Sequence, residues 1–311
     1  MSRLPSPAAR PVLVAGATGF IGRRLVPALI DAGHDVQAMT RRPDRYDGPG
    51  TAVGADIDDP DALFAALDGC AAAYYLVHSL DRGDFVARDA AAAEAFGLAA
   101  ASAGVQRIVY LGGLGDEQDD LSPHLRSRQE VEGLLATGGV PVTTLRAGIV
   151  IGHGGASWEM IRSVVERIPA LAVPRWALTR TQPIALADVV RYLVGVLDLD
   201  DQQSHTFDIG GAEVLRYVDV LSRVSALEGR PSIVVPVPVP STRLAALLAG
   251  QALPLITGVD GRTIRSLIAS MKNEVVVRDD SIRRVVPFEP MGYDEAVLAA
   301  LGERARARRA S

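Results

Sequence analysis

The sequence is poor in residues that build disulfides and metal centres. A single cysteine, Cys70, occurs among 311 residues, so no disulfide can form within the chain and no cysteine-based metal site exists. Cys70 lies between Gly69 and an alanine run, and we interpret it as a small core residue rather than a nucleophile. The five histidines show no metal-ligand spacing such as HExxH. We therefore expect no bound metal.

The charge balance of the sequence does not favour binding of an anionic macromolecule. The formal net charge is -5 at pH 7, and no long run of Lys or Arg occurs. A surface that neutralises the phosphates of a nucleic acid needs such basic clusters. We expect the partner to be a small-molecule substrate and not a nucleic acid. The sequence leaves open whether the chain is a monomer or a homodimer.

Long hydrophobic runs are also missing. The most apolar stretch near the C-terminus, residues 244–256, is interrupted by Gln251 and Pro254 and is too short to span a bilayer. Residues 1–10 carry two prolines and lack the apolar centre of a signal peptide. We interpret them as a disordered N-terminal extension and expect a cytoplasmic protein without membrane contact.

The chain does contain a regular alternation of short apolar runs and helical patterns. The apolar runs predict strands at 11–15, 35–39, 51–55, 72–77, 107–111, 142–151, 183–185 and 203–209. Helical spacing and helix-start signals predict helices over 20–32, 85–103, 122–135, 159–167 and 184–197, and one that begins at 59. Three more are predicted toward the C-terminus: one that begins after 215, and two around 241–250 and 260–272. This alternation is typical of an α/β fold, a Rossmann-like doubly wound parallel sheet covered by helices on both faces.

A glycine-rich turn, GATGFIG, joins the first predicted strand to the first predicted helix. Gly16 permits the tight turn, Gly19 lets the backbone approach a phosphate, and Gly22 lets the helix pack on the strand. The helix directs the positive end of its dipole at the bound anion. The turn therefore predicts a dinucleotide site. Its expected contacts are Gly16, Thr18, Gly19, Phe20, Ile21 and Gly22.

The end of the second predicted strand indicates which dinucleotide binds. An NAD site usually places Asp or Glu there to accept from the ribose 2′-hydroxyl, whereas this chain has Thr40, Arg41 and Arg42. Two guanidinium groups suit a 2′-phosphate and predict NADP(H), although solvated surface arginines would give the same pattern. One charged hydrogen bond of about 1.5–3 kcal/mol would favour NADP over NAD by about 10- to 150-fold. Asp56 and Ile57 follow the third strand and can meet the adenine, with a plain loop aspartate as the alternative.

The alternation loosens after Gly152, where prolines become frequent. We predict an NADP-binding Rossmann domain formed by residues 11–151 together with 184–210. We predict a smaller C-terminal substrate lobe formed by residues 152–183 together with 211–311.

Six segments stand out beside Asp56 and Ile57: GATGFIG (16–22), YYLVHS (74–79), YLGGLG (110–115), LSPHLRSR (121–128), LRAG (145–148) and NEVVVRDD (273–280). They resemble the short-chain dehydrogenase/reductase superfamily, and more narrowly its atypical, NAD(P)H-binding branch related to NmrA-like proteins and nucleoside-diphosphate-sugar epimerases. The resemblance covers nearly the whole chain and implies a doubly wound fold with a C-terminal substrate lobe. The further cofactor contacts within these segments are Val77, His78, Gly112, Arg128 and Ala147.

The sequence departs from this superfamily at the catalytic residues. Conventional members carry Ser or Thr after the fifth strand and then Tyr-x-x-x-Lys, in which Tyr donates a proton and Lys lowers the Tyr pKa and holds the ribose. Here Gly112 or Gly113 stands at the first position, and His124 and Arg128 stand at the other two. Four residues span one helical turn, so both side chains can face one site.

Three catalytic candidates follow from these positions: His124, Arg128 and His78. A histidine can donate a proton near neutral pH, but a neighbouring Arg and a helix N-terminus both disfavour imidazolium. A neutral His124 can still donate a hydrogen bond to a carbonyl, and a structural or surface histidine is the remaining interpretation. Arg128 can hold the ribose hydroxyls. His78 lies at the carboxyl end of the fourth strand, where open α/β sheets bind ligands.

Two functions fit the sequence. The first is an NADP(H)-dependent oxidoreductase that transfers hydride to or from a small or medium apolar carbonyl, alkene or alcohol. The second is a non-catalytic NADP(H)-binding sensor or regulatory protein of the NmrA-like kind, which the missing Tyr and Lys favour. Sugar-nucleotide epimerisation is less favoured, because that chemistry also depends on the Tyr-x-x-x-Lys pair.

Overall fold

A computed structural model describes residues 10–78, 85–115, 120–167, 170–230, 233–237 and 261–310. Residues 1–9 of the predicted extension and the helix predicted at 241–250 lie outside the described residues. The strands are β1 (Val12–Ala15), β2 (Val36–Thr40), β3 (Thr51–Gly54), β4 (Ala72–Tyr75), β5 (Arg107–Gly113), β6 (Val142–Ala147), β7 (Val150–Ile151), β8 (Ala170–Pro174), β9 (Arg180–Thr181), β10 (Ile184–Ala185), β11 (His205–Ile209), β12 (Leu215–Arg216) and β13 (Ile233–Val237). The helices are α1 (Gly22–Asp31), α2 (Pro60–Leu67), α3 (Phe85–Ser102), α4 (Pro123–Leu135), α5 (Ala156–Arg167), α6 (Leu186–Gly195), α7 (Tyr217–Leu227), α8 (Gly261–Ser270), α9 (Ile282–Val285) and α10 (Tyr293–Ala310).

The central sheet has seven parallel strands in the order β3-β2-β1-β4-β5-β6-β11. The chain runs outward from β1 to β3 and then crosses back to β4, so the direction of winding reverses between β1 and β4. The predicted Rossmann-like, doubly wound α/β fold is confirmed. Ligands of such sheets bind at the carboxyl edge beside this reversal.

Helices α2 and α4 begin where the sequence predicts. The Asp59 carboxylate accepts hydrogen bonds from the amides of Asp61 and Ala62, each 3.1 Å long. Ser122 Oγ accepts from the Leu125 amide at 3.2 Å. Both caps satisfy amides that a helix leaves unpaired in its first turn, and a proline follows each cap at the first helical position.

Helices cover the sheet on both faces, and each face has its own apolar core. One core packs α1 and α6 on the sheet through residues that include Leu25, Leu29, Val189 and Leu193. The other packs α2, α3 and α4 through residues that include Leu63, Phe96, Val131 and Leu135. Strands β1, β4 and β5 are buried on both faces, which explains their continuous apolar runs.

A third core lies beyond the sheet edge. It joins α5, α7 and α10 around the fully buried Trp158, with Tyr217, Leu221 and Val297 packed about it. Three two-stranded pairings, β7 with β10, β9 with β12 and β8 with β13, connect the segments around this core.

The prediction of one strand over 142–151 is wrong. Strand β6 ends at Ala147, whose carbonyl accepts a 2.9 Å hydrogen bond from the Leu114 amide. After a bend at Gly148, the Ile149 carbonyl accepts instead from Ile184, also at 2.9 Å, and β7 pairs with β10. The apolar run is continuous because both segments are buried, and this hides the change of partner.

Further boundaries differ: β5 extends to Gly113, and the short β12 precedes the helix predicted after 215. Strand β4 ends at Tyr75 and not at residue 77, and β11 begins at His205 and not at residue 203. Helix α1 begins at Gly22 and not at residue 20, and α5 begins at Ala156 and not at residue 159.

The start of α1 packs against the turn that precedes it. Gly16 has a φ of +90°, a conformation that L side chains rarely adopt. A Cβ atom added at Gly22 would lie 2.2 Å from the Gly16 carbonyl oxygen and 2.7 Å from Ala17 Cα. Only glycine fits at Gly22 without moving the backbone, as the sequence predicts.

We expect Gly22→Ala to lower the free energy of unfolding by about 1–3 kcal/mol, because its methyl group must displace backbone atoms. Gly133→Ala is the matched control. Gly133 is exposed on α4 with no atom within 4 Å of an added Cβ, so alanine should stabilise the helix by about 0.5–1 kcal/mol. Urea denaturation measures both variants, and equal midpoints would contradict the packing described.

Candidate functional site

The glycine turn lies at the carboxyl edge of the sheet, between β1 and β4. Ala15, the last residue of β1, pairs with Tyr75 of β4 and Met39 of β2. A Cβ added at Gly16 would lie 2.9 Å from the Leu76 carbonyl oxygen, so the turn packs directly on the chain that leaves β4. The Gly19 amide donates a 2.9 Å hydrogen bond to the Gly16 carbonyl, which closes the turn. Thr18 and Gly19 are exposed, so the outer side of the turn is open to a ligand.

The arginines predicted to select NADP(H) follow β2 at the same edge. Arg41 and Arg42 are exposed, and neither guanidinium forms an ion pair among the residues that the structure describes. The Arg42 amide donates to Thr40 Oγ1 at 3.3 Å, which fixes the backbone that carries both side chains. Two exposed cations beside the turn are available to an anionic group.

Asp56 and Ile57 have roles within the protein. Asp56 Oδ1 accepts a 3.3 Å hydrogen bond from the Asp58 amide, in the loop that leads into α2. Ile57 is half-buried and packs against the core beneath α2, α3 and α4, as does Val77 beyond β4. The Ala55 amide donates to the Thr40 carbonyl at 3.2 Å, so Asp56 follows β3 close to the end of β2.

A cavity of about 260 Å³ opens beside the turn. It brings together seven of the predicted site residues: Phe20, Ile21, His78, Gly112, His124, Arg128 and Ala147. The other predicted contacts lie outside it, in the turn itself, at the ends of β2 and β3 and beyond β4: Gly16, Thr18, Gly19, Gly22, Thr40, Arg41, Arg42, Asp56, Ile57 and Val77. Most of the remaining wall is apolar and comes from α5, α8 and the chain around β7, including Met160, Ile161, Leu267 and Met271.

Gly112 and Gly113 occupy crowded positions at the end of β5. A Cβ at Gly112 would lie 3.3 Å from both Thr144 Cγ2 and Tyr110 Cε1. A Cβ at Gly113 would lie 3.1 Å from Leu125 Cδ2. A serine at either position would require these neighbouring side chains to shift by a few tenths of an ångström, so the site is tight for any side chain at this point.

Helix α4 presents His124 and Arg128 to the cavity from successive turns, as their spacing predicts. Arg128 also fastens the helix to the sheet. Its guanidinium donates to the Leu111 carbonyl and lies 5.0 Å from the centre of the Tyr110 ring. Tyr110 Oη donates in return to the Arg128 carbonyl at 3.0 Å. Part of the hydrogen-bonding capacity of Arg128 is therefore used inside the protein.

The N-terminus of α4 is held by residues that sequence reasoning missed. The Asn273 side chain is buried; its Oδ1 accepts from the Ser122 amide at 3.2 Å and its Nδ2 donates to the Asp120 carbonyl at 3.1 Å. Ser270 Oγ lies 2.8 Å from Ser122 Oγ, a second hydrogen bond to the cap. The segment that follows α8 thus positions the helix that carries His124.

Burial keeps His124 neutral. The pKa of His124 is lowered to about 3, first by burial and then by the neighbouring His78 and Arg128, whereas Asp89 opposes the shift. Its Nδ1 atom is buried and has no hydrogen-bond partner among the described residues. The sequence indicated Arg128 as a cause but not burial or His78. A neutral ring can donate a hydrogen bond from only one nitrogen.

His78 has a different environment. Its Nδ1 lies 2.6 Å from Oδ2 of Asp89, a carboxylate of α3 that is only 4% exposed. The His78 and His124 rings contact each other, with centroids 5.4 Å apart. Sequence reasoning missed Asp89, although a signal exists. Asp89 shares a helical face with the buried Ala92, Ala93 and Phe96, and a carboxylate on such a stripe needs a partner.

Within the described residues, no cluster of His, Cys, Asp and Glu has the arrangement of a metal site. No helix in the described ranges is long and apolar enough to cross a membrane. Cys70 is buried, as predicted, and burial raises the pKa of its thiol to about 11.

Comparison with known proteins adds four findings. Residues 16–177 match a family described as NAD(P)H-binding. The chain is 30% identical over 228 residues to (4-alkanoyl-5-oxo-2,5-dihydrofuran-3-yl)methyl phosphate reductase of Streptomyces griseus, which covers 71% of this chain and 74% of that protein. Its fold is similar to that of the NADPH-dependent quinone oxidoreductase QOR2 of Escherichia coli complexed with NADPH, with a TM-score of 0.73, 18% identity and coverage of 92% and 98% of the two chains. It is also similar to MoeE5 in complex with UDP-glucuronic acid and NAD, with a TM-score of 0.71, 20% identity and coverage of 96% and 99%.

We expect His124 to make the protein sensitive to acid. His124 is neutral when folded and takes up a proton when unfolded, so its contribution to stability is complete above the unfolded pKa of about 6.5 and falls as the pH drops toward 3. Between pH 7.5 and pH 5, the wild type should lose about 2 kcal/mol more stability than His124→Gln.

Urea denaturation at several pH values measures this difference. His34→Gln, which removes a histidine beyond the far end of α1, serves as the control and should follow the wild type. Parallel pH curves for the wild type and His124→Gln would show that His124 is not held neutral by burial.

Proposed function

Because the chain belongs to the NAD(P)H-binding family, we propose that it is an NADP(H)-dependent oxidoreductase. It transfers hydride to or from a small or medium apolar carbonyl, alkene or alcohol. The observation that carries this proposal is the cavity, in which His78, His124 and Arg128 meet the Phe20 and Ile21 end of the glycine turn. A catalytic site in a doubly wound sheet is expected at this edge.

The residues at this edge fit the proposed cofactor. The Gly16–Gly22 turn leaves no room for side chains on its inner side and offers the first amides of α1 to a pyrophosphate. Arg41 and Arg42 would hold the 2′-phosphate, which supports NADP(H) over NAD(H). Bound NADPH supplies the hydride, and the cavity walls place the substrate and exclude water.

The cavity favours a neutral, apolar substrate. Among the described residues that line it, Arg128 is the one with a permanent charge, and its guanidinium is already bonded to the Leu111 carbonyl. The Streptomyces griseus relative is named for a phosphorylated substrate, but this wall provides no cluster of cations for a phosphate. Helices α5 and α8 supply much of the apolar wall, which supports a nucleotide-binding domain of residues 11–151 and 184–210 and a substrate lobe of residues 152–183 and 211–311.

Within this site, a neutral His124 polarises the substrate carbonyl by donating a hydrogen bond to its oxygen. Arg128 orients α4 on the sheet and presents its remaining donors toward the ribose. The second candidate is a non-catalytic NADP(H) sensor. The neutrality of His124 and the internal bonding of Arg128 favour it, because both residues then depart from the proton-donating pair of the superfamily.

The double variant Arg41→Ala/Arg42→Ala tests the cofactor preference. We expect the Kd for NADPH to rise by about 10- to 150-fold, since at least one charged hydrogen bond to the 2′-phosphate is lost. The Kd for NADH should stay within about twofold. Arg309→Ala, on the exposed last turn of α10, is the control and should leave both values unchanged. Equal weakening of both nucleotides, or of neither, would exclude a 2′-phosphate site at these arginines.

A reductase screen tests the reaction. We expect loss of NADPH absorbance with members of a library of apolar aldehydes, ketones and enones. We expect His124→Leu to lower kcat by about 100-fold, because leucine has no hydrogen-bond donor for the developing oxyanion. A silent screen together with clear NADPH binding would reject the oxidoreductase and favour the sensor. An unchanged kcat in His124→Leu would show that His124 takes no part in the reaction.

A further inference from the structure

The proposed function leaves the source of the proton open. Reduction of a carbonyl needs a hydride and a proton. His124, with a pKa of about 3, is a neutral imidazole at neutral pH and not an imidazolium that could supply this proton. The cavity wall holds a second histidine, His78, whose Nδ1 is bonded to the buried Asp89 carboxylate at 2.6 Å. A buried carboxylate that accepts from one imidazole nitrogen fixes the ring and stabilises its protonated form.

The two histidines are in direct contact. Their ring centroids are 5.4 Å apart, and the planes are inclined by 34°. His124 Nδ1 is a buried polar atom without a partner among the described residues, and such atoms are rare because leaving one unpaired costs free energy. In functional sites they often receive a bond only during the reaction.

We propose that Asp89, His78 and His124 form a proton relay to the substrate, with His78 as the proton store and Asp89 as its positioning residue. This inference rests on the proposed oxidoreductase function. The charged and titratable groups around His78 include Asp89 of α3, which is bonded to its Nδ1, and His124 of α4, whose ring contacts it. Arg128 of α4 lines the same cavity.

The proton balance closes in one turnover. As hydride forms the new C–H bond, the π electrons of the carbonyl move to its oxygen, which takes the proton from His124 Nε2. His124 Nδ1 then takes the proton from Nε2 of the His78 imidazolium, which becomes neutral and keeps its Nδ1 proton on Asp89. After the transfer His124 is neutral but carries its proton on Nδ1. Once the product leaves, solvent in the cavity protonates His124 Nε2 while Nδ1 returns its proton to His78 Nε2. Each turnover therefore takes one proton from solvent and restores both histidines, and the reverse sequence serves alcohol oxidation.

This arrangement reconciles the low pKa of His124 with a role in proton transfer. A relay residue only has to give a proton from one ring nitrogen and receive another at the second, so it never has to carry a positive charge for long. The storing residue is the one beside a carboxylate. Asp89 therefore acts through His78 and does not itself touch the substrate.

The test begins without turnover, on full-length protein with bound NADP⁺. Histidines labelled with ¹⁵N are titrated by NMR, and His78→Asn and His124→Gln assign the two resonances. We expect His124 to stay neutral from pH 5 to pH 9 and His78 to titrate within that range. Asp89→Asn should lower the titration midpoint of His78 by about one pH unit, because the partner charge is lost while the shape is kept. Glu94→Gln, on the exposed face of the same helix, should leave it unchanged.

The second measurement is the pH profile of kcat/KM for NADPH oxidation with trans-cinnamaldehyde. The wild-type profile should fall above the midpoint of His78, and Asp89→Asn should move this fall about one pH unit lower. His78→Asn should remove that fall and lower kcat/KM by about 100-fold or more. Glu94→Gln should again match the wild type.

The NMR titration and the pH profile distinguish failure of the relay from failure of the oxidoreductase function. If the wild type binds NADPH but does not reduce the aldehyde, the result counts against the proposed function and with it against a relay to the substrate, whatever NMR shows of the pairing of His78 with Asp89. A His78 midpoint that is unmoved by Asp89→Asn, or a His124 that titrates between pH 5 and pH 9, overturns the relay even in an active enzyme.

Discussion

The close approach of α1 to β1 is the constraint on which the site depends. Gly16 turns the chain in a conformation that L side chains rarely adopt. Gly22 lets the helix begin against this turn, because a Cβ at Gly22 would lie only 2.2 Å from the Gly16 carbonyl oxygen. Because the helix starts this near the strand, its first amides lie at the carboxyl edge of the sheet. The ends of β2, β4 and β5 meet the same edge, and α4 covers it from the side. Arginines, histidines and the apolar cavity are thus arranged around one turn.

The second constraint is burial. A tyrosine and lysine pair can titrate in a partly hydrated site, but His124 lies where burial, and after it the neighbouring His78 and Arg128, disfavour its charge. Arg128 is bonded to the end of β5 and stacked on Tyr110, so it is not a simple replacement for a lysine. The proposed reaction must therefore be carried by a neutral His124 and by the groups behind it.

Much of the fold could be predicted because its signals are local. The alternation of apolar runs and helical spacing gave the parallel sheet, the caps Asp59 and Ser122 gave two helix starts, and the spacing of His124 and Arg128 gave a shared face. The turn between Gly16 and Gly22 was recognisable from the glycine positions alone, because a side chain at any of the three glycines would interfere with the turn, the approach to a phosphate or the packing of the helix.

The remaining features depend on contacts between distant parts of the chain. The bend at Gly148 was hidden because β6 and β7 are both buried and apolar. Asn273 Oδ1 accepts a hydrogen bond from the Ser122 amide, although the two residues are 151 positions apart in the sequence. The pairing of His78 with Asp89 depends on how α3 packs. No periodicity indicates such partners. A charged residue on a buried helical face, as at Asp89, is the one local sign that a partner must exist.

A crystal structure of the protein with NADP⁺ tests the proposed cofactor site. We expect the pyrophosphate on the Gly16–Gly22 turn, the 2′-phosphate beside Arg41 and Arg42, and the nicotinamide inside the cavity against His124. A nicotinamide that lies in solvent, with the cavity left empty or filled by another part of the chain, would contradict this expectation.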